Sequence, residues 1–329
     1  MSTPAARHAS APSPRRSVEV VVVGGGPAGL QAALTLGRMH REVLLVDSGE
    51  YRNATAAHLH NFVTQDGTPP EEFRARARAD LSAYSTVTLH QGRVTAIDGG
   101  AGDFSVAIDN EYAVRAAAVV LATGVRDSLP ATPGLTALWG GVVAHCPYCH
   151  GHEFAGQPVG LLGLGPATQH LVGMLAPIAA RLTVLTDGAE PDPELAAALA
   201  ARGVAVRTHR VTEVSPSSLG AVVSLEDGTQ EDLGGLFVST TLSQSAPFAE
   251  DLGLRLLPSG CIEVDEFGAT SVPGIYAAGD LAHRATLPMP MASVLVAAGA
   301  GQVTASGLNA QLASGALALS AEAPASRAG

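Results

Sequence analysis

Two of the three cysteines in the chain stand together in Cys146-Pro147-Tyr148-Cys149-His150-Gly151. Two thiols at this spacing can close into a small disulfide ring that takes up and releases two electrons. A thiol attacks only as its thiolate, so a neighbouring proton acceptor such as His150 bears directly on the chemistry. The same residues satisfy two other patterns. C-x-x-C-H is the attachment sequence of a c-type haem, and two cysteines with His150 and His152 make a set of zinc ligands. The rest of the chain has to discriminate among the three.

At 329 residues the chain is long enough for about two domains, each with a proper core. Hydrophobic residues make up 47% but aromatic ones only 4%, so the core must be built from Ala, Val, Leu and Gly. That suits parallel sheets covered by closely packed helices. The formal net charge is −11 and the one basic run is Arg15-Arg16, which argues against nucleic acid or an anionic membrane surface as a partner. Residues 1–17 are rich in Ala, Pro, Ser and Arg without an apolar centre, and read as a disordered tail rather than a targeting segment. No apolar run reaches the roughly 18 residues of a membrane span. A cytoplasmic protein is expected, where a cysteine pair is more often catalytic than structural and c-type haem is out of place.

The pair must be positioned by the elements around it. Residues 18–23 form a β-branched run of the kind buried on both faces of a sheet. It runs into Gly24-Gly25-Gly26-Pro27-Ala28-Gly29, then a helical pattern with Leu30, Ala33, Leu34 and Gly37 on one face, then a strand at 42–46 ending in Asp47. This is G-x-G-x-x-G in its working setting. The glycines let the backbone approach a pyrophosphate at the helix N-terminus, and Asp47 can accept from a ribose hydroxyl. Tyr51-Arg52-Asn53 and His58-Leu59-His60-Asn61 read as polar loops. Segments 93–97, 104–108 and 112–114 read as a small antiparallel meander, and 119–121 as a buried strand ending at Ala122-Thr123-Gly124.

After the cysteine motif a second unit of the same kind begins: a strand at 158–162, the turn Gly163-Leu164-Gly165-Pro166-Ala167-Thr168, and a strand at 181–185 ending near Thr186-Asp187. The chain thus carries one internal repeat. Strands at 204–206, 222–225 and 236–238 follow, with Asp227-Gly228 as a hairpin turn. Gly274-Ile275-Tyr276-Ala277-Ala278-Gly279-Asp280 is another buried strand ending in glycine and an acid, before a small-residue helix over about 293–312. The lone Cys261 reads as a packing residue.

These pieces resemble the low-molecular-weight thioredoxin reductase family of FAD proteins over residues 18–312. The resemblance rests on the first glycine turn, Ala122-Thr123-Gly124, the cysteine motif, and Thr270-Ser271-Val272-Pro273-Gly274 leading into Ala277-Ala278-Gly279-Asp280. It implies an α/β fold of two Rossmann-like, three-layer ββα nucleotide-binding domains, the second inserted in the first. The FAD domain would take residues 18–127 and 248–312, the inserted domain with the cysteines 128–247, and a flexible tail 313–329. FAD would be held by Gly24, Gly26, Pro27, Ala28, Gly29, Asp47, Ser48, Arg52, Ala122, Thr123, Gly124 and Gly279. Val94 would lie by the adenine, His60 and Asn61 would line the flavin pocket, and Asp280 would hold the ribityl chain. Met291 and Ala292, before the last helix, would face the isoalloxazine. With FAD implied, the cysteines read as a redox-active disulfide; zinc and haem lack any further ligand cluster, and no metal is expected.

Three departures from the reductase pattern stand out. The His-Arg-Arg cluster that grips the NADPH 2′-phosphate is replaced by Thr186-Asp187-Gly188-Ala189-Glu190, which lacks the paired donors of arginine. Pro288 and Pro290 stand where an Arg-Gln step is expected, and His150 replaces an acid. The Cys-Pro-aromatic-Cys-His-Gly form, with Asp47-Ser48-Gly49 and Tyr51-Arg52-Asn53 upstream, resembles the branch of dithiol oxidases that close disulfides in gliotoxin, holomycin and romidepsin. That branch dispenses with NADPH and passes its electrons to O2. The resemblance implies a small-molecule dithiol substrate and a homodimer. Cys146 would be the outer sulfur, attacked by substrate, and Cys149 the sulfur beside the flavin. His150, with an ordinary pKa of about 6.5, suits proton transfer to and from sulfur. His145 and His152 are further candidates for the base, and capping of the turn is the plain alternative for His150. The rival functions are an NAD(P)H-dependent disulfide reductase, with Asp187 on an NADH ribose, and a non-catalytic flavoprotein redox sensor.

Overall fold

The computed structural model describes residues 16–320. The expected tail at 1–17 lies outside the described residues, except that Arg16 and Ser17 already belong to the first strand. In chain order, β1 (Arg16–Val23), α1 (Pro27–Arg38) and β2 (Val43–Asp47) form a βαβ unit. There follow α2 (Pro70–Leu81), β3 (Val87–Gln91), β4 (Val94–Gly100), β5 (Asp103–Ile108), β6 (Tyr112–Leu121) and β7 (Val125–Ser128). Next come α3 (Leu135–Leu138), β8 (Val143–Ala144), α4 (Pro147–His150), β9 (Pro158–Leu162), α5 (Thr168–Leu175), β10 (Arg181–Leu185), α6 (Pro193–Ala201) and β11 (Ala205–Arg207). After β12 (Val211–Pro216), β13 (Ala221–Leu225), β14 (Gln230–Leu233), β15 (Gly235–Val238) and β16 (Thr241–Gln244), the chain ends through α7 (Phe248–Asp251), β17 (Ile262–Glu263), β18 (Ile275–Ala277), β19 (Ala282–His283) and α8 (Val294–Ala313).

Two compact units divide this chain. Of the described residues, the first takes 16–51, Arg74–Val125 and 244–320; the second takes Arg52–Phe73 and Arg126–Ser243. Residues 52–73, expected with the FAD domain, therefore group with the second unit, and the chain returns to the first at 244 rather than 248.

In the first unit the sheet order is β3-β2-β1-β6-β5-β4, with β18 also paired to β6. Strands β3, β2, β1, β6 and β18 run parallel. The expected meander and the buried strand at 119–121 turn out to share one element. The start of β6 pairs antiparallel with β5, Ile108 opposite Tyr112, while its end pairs with β18, Ala277 opposite Leu121. One edge of a ten-residue strand serves two partners, which is why its middle reads weakly from sequence.

The core is built as the composition implies. Val20, Val22 and Val120 of the sheet pack with Leu30, Ala33 and Leu36 of α1 and with Ala305, Leu308 and Leu312 of α8. A Cβ on Gly301 of α8 would fall on the carbonyl oxygen of Ala28 in α1, so the two helices approach backbone to backbone. Each fully buried Val or Leu contributes roughly 1.5–3 kcal/mol. The expected flexible tail at 313–329 is corrected for its first part. Leu317 and Leu319 join this cluster, and the Ser320 N–H donates to the Gly102 carbonyl at 2.9 Å. Residues 321–329 lie outside the described residues.

The second unit repeats the plan, with parallel order β11-β10-β9-β15-β8 and an antiparallel sheet β12-β13-β14. The same hydrogen bond opens both glycine turns: Gly24 N–H to Val46 O and Gly163 N–H to Leu185 O, each 2.8 Å. Among the described residues no helix is long and apolar enough to cross a membrane.

Candidate functional site

In the first unit, the carboxyl ends of β1, β6 and β18 meet, and each continues into a glycine-bearing turn. Gly24 has φ +111°, and a Cβ there would collide with the Ala122 carbonyl. A Cβ on Gly29 would fall on the Gly24 carbonyl oxygen, so this glycine allows α1 to lie against the strand. Gly26 differs: nothing lies within 4 Å of its Cβ position. It precedes Pro27 at the first position of α1, and no side chain caps that helix. Open space over an uncapped helix start is what a pyrophosphate requires. Ala28, Ala122, Ala278 and Ala297 close the floor, so the first turn of α8 packs at the same place. Gly124 and Gly279 have φ +70° and +92°. Thr123 and Asp280 stand half-exposed beside them, and Met291 and Ala292 lead into α8.

Asp47 ends β2 and is buried, lying over Gly25. It accepts from the Tyr51 hydroxyl at 2.5 Å, from Arg78 Nη2 at 2.7 Å and from the Gly49 N–H at 3.1 Å. Burial pushes its carboxyl up, but the bonds from Tyr51, Arg78 and Gly49 and the Arg78 charge outweigh it and hold it below the ordinary value. Arg78 also donates to Tyr51, and the Arg74 guanidinium lies 3.8 Å from the Tyr51 ring centroid. Sequence reasoning found Asp47 but missed these supports, because α2 is a polar helix far along the chain. Ser48 borders an open hollow of about 510 Å³ with Gln91, Gly92, Arg93 and Asp109. Val94 is buried at the start of β4.

The second unit holds the sulfur chemistry. Cys146 and Cys149 form a disulfide with Cα atoms 5.3 Å apart. Cys146 caps the short α4, and its carbonyl accepts from the N–H groups of Cys149 and His150, each at 3.1 Å. Pro147 suits the first helical position. Gly151 is required by close approach, since a Cβ would meet the Pro147 carbonyl at 2.5 Å and Ile178 at 3.3 Å. Both cysteines are half-buried and Tyr148 is exposed.

His150 is half-buried, and its Nδ1 is shielded from solvent without a hydrogen-bond partner. Burial draws its pKa below the ordinary value, with the Gly140 backbone and Glu153 pulling the other way. His145 is drawn lower, to about 4, by burial first and by Arg52 next. Arg52, expected at the cofactor, turns instead to Asp127, with bonds of 2.7 and 2.8 Å, and to His145 Nε2 at 3.3 Å. His60 and Asn61, expected in the flavin pocket, also belong to this unit. His60 Nε2 lies 3.4 Å from Glu153 and its Nδ1 lies 3.6 Å from Asp66. Asn61 holds a left-handed backbone (φ +60°) and donates its N–H to Asp66 at 2.7 Å. His152 is exposed. Cys261, in the first unit, is buried, with its thiol 3.6 Å from the Asp280 carbonyl.

The second glycine turn differs from the first. The Gly165 N–H donates to the Thr168 hydroxyl at 2.9 Å, and α5 starts only at Thr168. The Asp187 carboxylate accepts from the Val211 N–H at 2.8 Å. A residue distant in sequence packs against this turn: a Cβ on Gly188 would meet Arg210 Cγ at 2.9 Å. A stretch read as local and acidic therefore has an arginine stem against it.

The sequence matches the family of pyridine nucleotide-disulphide oxidoreductases over residues 18–302. The chain belongs to this family. It is 32% identical over 318 residues to a thioredoxin reductase, sirT, of Leptosphaeria maculans, covering 89% of this chain and 94% of that one. Among solved structures, an oxidoreductase from Agrobacterium tumefaciens is 39% identical with a TM-score of 0.84, covering 90% of this chain and 99% of that one. The crystal structure of HlmI is 34% identical with a TM-score of 0.82, covering 91% and 93%. The thioredoxin reductase-like fold and the resemblance to this family hold, and the protein is a disulfide oxidoreductase with FAD as its cofactor. The cradle of the first unit fits that cofactor: open space at Gly26, an uncapped helix start and a buried, ionised Asp47.

Proposed function

We propose that the protein is an FAD-dependent dithiol oxidase that closes an intramolecular disulfide in a small-molecule dithiol, with O2 reduced to H2O2. The observation that carries this reading is the closed Cys146–Cys149 pair followed directly by His150, whose Nδ1 is shielded and unpartnered. A substrate thiolate attacks Cys146 Sγ, and Cys149 leaves as a thiolate. The second substrate thiol displaces Cys146 from the mixed disulfide, so the product leaves oxidised and the enzyme keeps two electrons as its dithiol. His150, neutral near pH 7 by burial, takes the proton of the incoming thiol and returns it to a departing sulfur. FAD, when bound, would supply the acceptor for these two electrons and their outlet to O2. It would be held by Gly24, Gly26, Pro27, Ala28, Gly29, Asp47, Ser48, Val94, Ala122, Thr123, Gly124, Gly279, Asp280, Met291 and Ala292, with His60 and Asn61 lining the flavin pocket.

Independence from a nicotinamide donor is supported by the second glycine turn, whose Gly165 N–H is taken by the chain's own Thr168. The acids Asp187 and Glu190 support it too. An NAD(P)H-dependent disulfide reductase is the second reading, favoured by Arg210 beside Gly188. A cytoplasmic location and a homodimer are part of the proposal, and the exposed apolar residues Leu295, Val296 and Val303 on α8 support the dimer. The test is oxygen uptake with a small dithiol and no nicotinamide. Sustained turnover with one peroxide per disulfide is expected; consumption only after adding NADPH or NADH would move the protein to the reductases. No turnover under either condition would favour a redox sensor.

A further inference from the structure

His145 directly precedes the outer cysteine, and the structure surrounds its ring on several sides. Trp139 stacks on it, with centroids 5.5 Å apart and planes 27° from parallel. Arg52 Nη2 meets its Nε2 at 3.3 Å. Arg52 is itself fixed by two bonds to Asp127, whose side chain is 4% exposed and also accepts from the Thr240 hydroxyl at 2.8 Å. A guanidinium carries only donors and does not deprotonate in proteins. The nitrogen that faces it must therefore hold a lone pair, which puts the ring proton on Nδ1. Protonating Nε2 would break that bond and set a second cation against the first.

We propose that Arg52, clamped by Asp127, is a positioning residue that fixes His145 as the neutral Nδ1–H tautomer and so removes it from proton transfer, leaving that work to His150. The assignment rests on thiol–disulfide exchange at Cys146–Cys149 being the reaction. The two histidines beside the disulfide then have different work. His150 keeps a free Nδ1, whereas the acceptor nitrogen of His145 is already occupied. The charged and titratable groups that act on His145 are Arg52, Asp127 and His150. Arg52 and His150 disfavour its protonation and Asp127 favours it.

The two charge-removing variants, one at Arg52 and one at Asp127, separate a positioning role from a merely structural one, because they act in opposite directions. In Arg52→Gln the repelling charge is lost and the imidazole should become easier to protonate. In Asp127→Asn the attracting charge is lost and it should become harder. Arg52→Lys, which keeps the charge, should resemble the wild type.

The experiment is 15N-histidine NMR of the FAD-loaded protein, titrated in pH, with His145 assigned by its substitution. The wild type should show Nδ1–H, unprotonated near neutrality. Arg52→Gln should raise the titration midpoint by about one unit or more, and Asp127→Asn should not raise it. A wild-type Nε2–H tautomer, an imidazolium at neutral pH, or an unchanged midpoint in Arg52→Gln would overturn the proposal. If that variant does not fold, the wild-type tautomer decides alone. These readouts do not depend on turnover, so failure of the dithiol chemistry is seen separately, as absent anaerobic reduction of the disulfide.

Discussion

Replacing Asp47 by Asn keeps the shape of the side chain and removes its charge. A carboxylate offers about four acceptor positions, and Tyr51, Arg78 and Gly49 occupy three. About one is left for a ribose hydroxyl. In the Asn variant one oxygen is gone and an NH2 faces the Tyr51 and Arg78 donors. A hydrogen bond to a charged group contributes about 1.5–3 kcal/mol net, so losing the one to FAD should weaken binding by roughly 10- to 150-fold. The Arg78 side chain is 38% exposed, so solvent screens its pairing, and the apoprotein should lose only about 1–2 kcal/mol. The pH dependence has a definite sign. The folded carboxyl lies below its ordinary value, so this stability is present above about pH 4 and is lost as pH falls through the folded pKa. FAD titration of apoprotein by flavin fluorescence measures the first effect, and urea unfolding at several pH values measures the second. Wild-type FAD affinity in Asp47→Asn, or a stability gap that does not close on acidification, would refute the assignment of this carboxylate.

The remaining expectations concern the disulfide and the second unit. Cys149→Ser should still form a mixed disulfide with substrate through Cys146 but pass no electrons to the flavin. Cys146→Ser should leave the inner thiolate and a long-wavelength charge-transfer band, and a band surviving only in Cys149→Ser would reverse the two roles. His150→Ala should keep normal flavin content yet slow dithiol-driven flavin reduction by about 10²–10⁴-fold; an unslowed step in stopped flow would leave His150 a structural residue. Glu231, 4% exposed, pairs with Arg181 at 2.8 Å and Arg207 at 2.7 Å. Both arginines are more than a third exposed, so Glu231→Gln should cost about 1–2 kcal/mol rather than the larger penalty of a fully buried pair, read by urea unfolding with flavin content unchanged.

The parts of the fold that repeat a local pattern were legible in the sequence. A β-branched run, a glycine turn and a terminal acid mark β1 and Asp47, and the same pattern marks β9 and the second unit. Features that depend on distant partners were not. The middle of β6 is alanine-rich and gains its strand character from β5 and β18, which flank it on one edge. Residues 313–320 have the composition of a loose end, yet Leu317 and Leu319 find the core of the first unit. Arg52 sits in a polar stretch beside Asp47, which drew it toward the cofactor. Its partner Asp127 lies 75 residues away, and nothing local announces the pairing. Arg210 and Gly188 are likewise joined only by the return of the chain through β11.

The most direct measurement is the anaerobic fate of the flavin's visible absorbance when the purified protein is mixed with a donor. A small dithiol should bleach it within the turnover time, whereas NADPH should not. The Gly165 N–H is already bonded to Thr168, and Asp187 with Glu190 would set negative charge where a 2′-phosphate would sit, opposed by Arg210 beside Gly188. NADH is the sharper control, because Asp187 could serve its ribose even though one oxygen is held by the Val211 N–H. Bleaching by the dithiol alone is the expected result. Fast bleaching by NADPH or NADH, with the dithiol inert, would contradict the oxidase reading and make the protein a reductase.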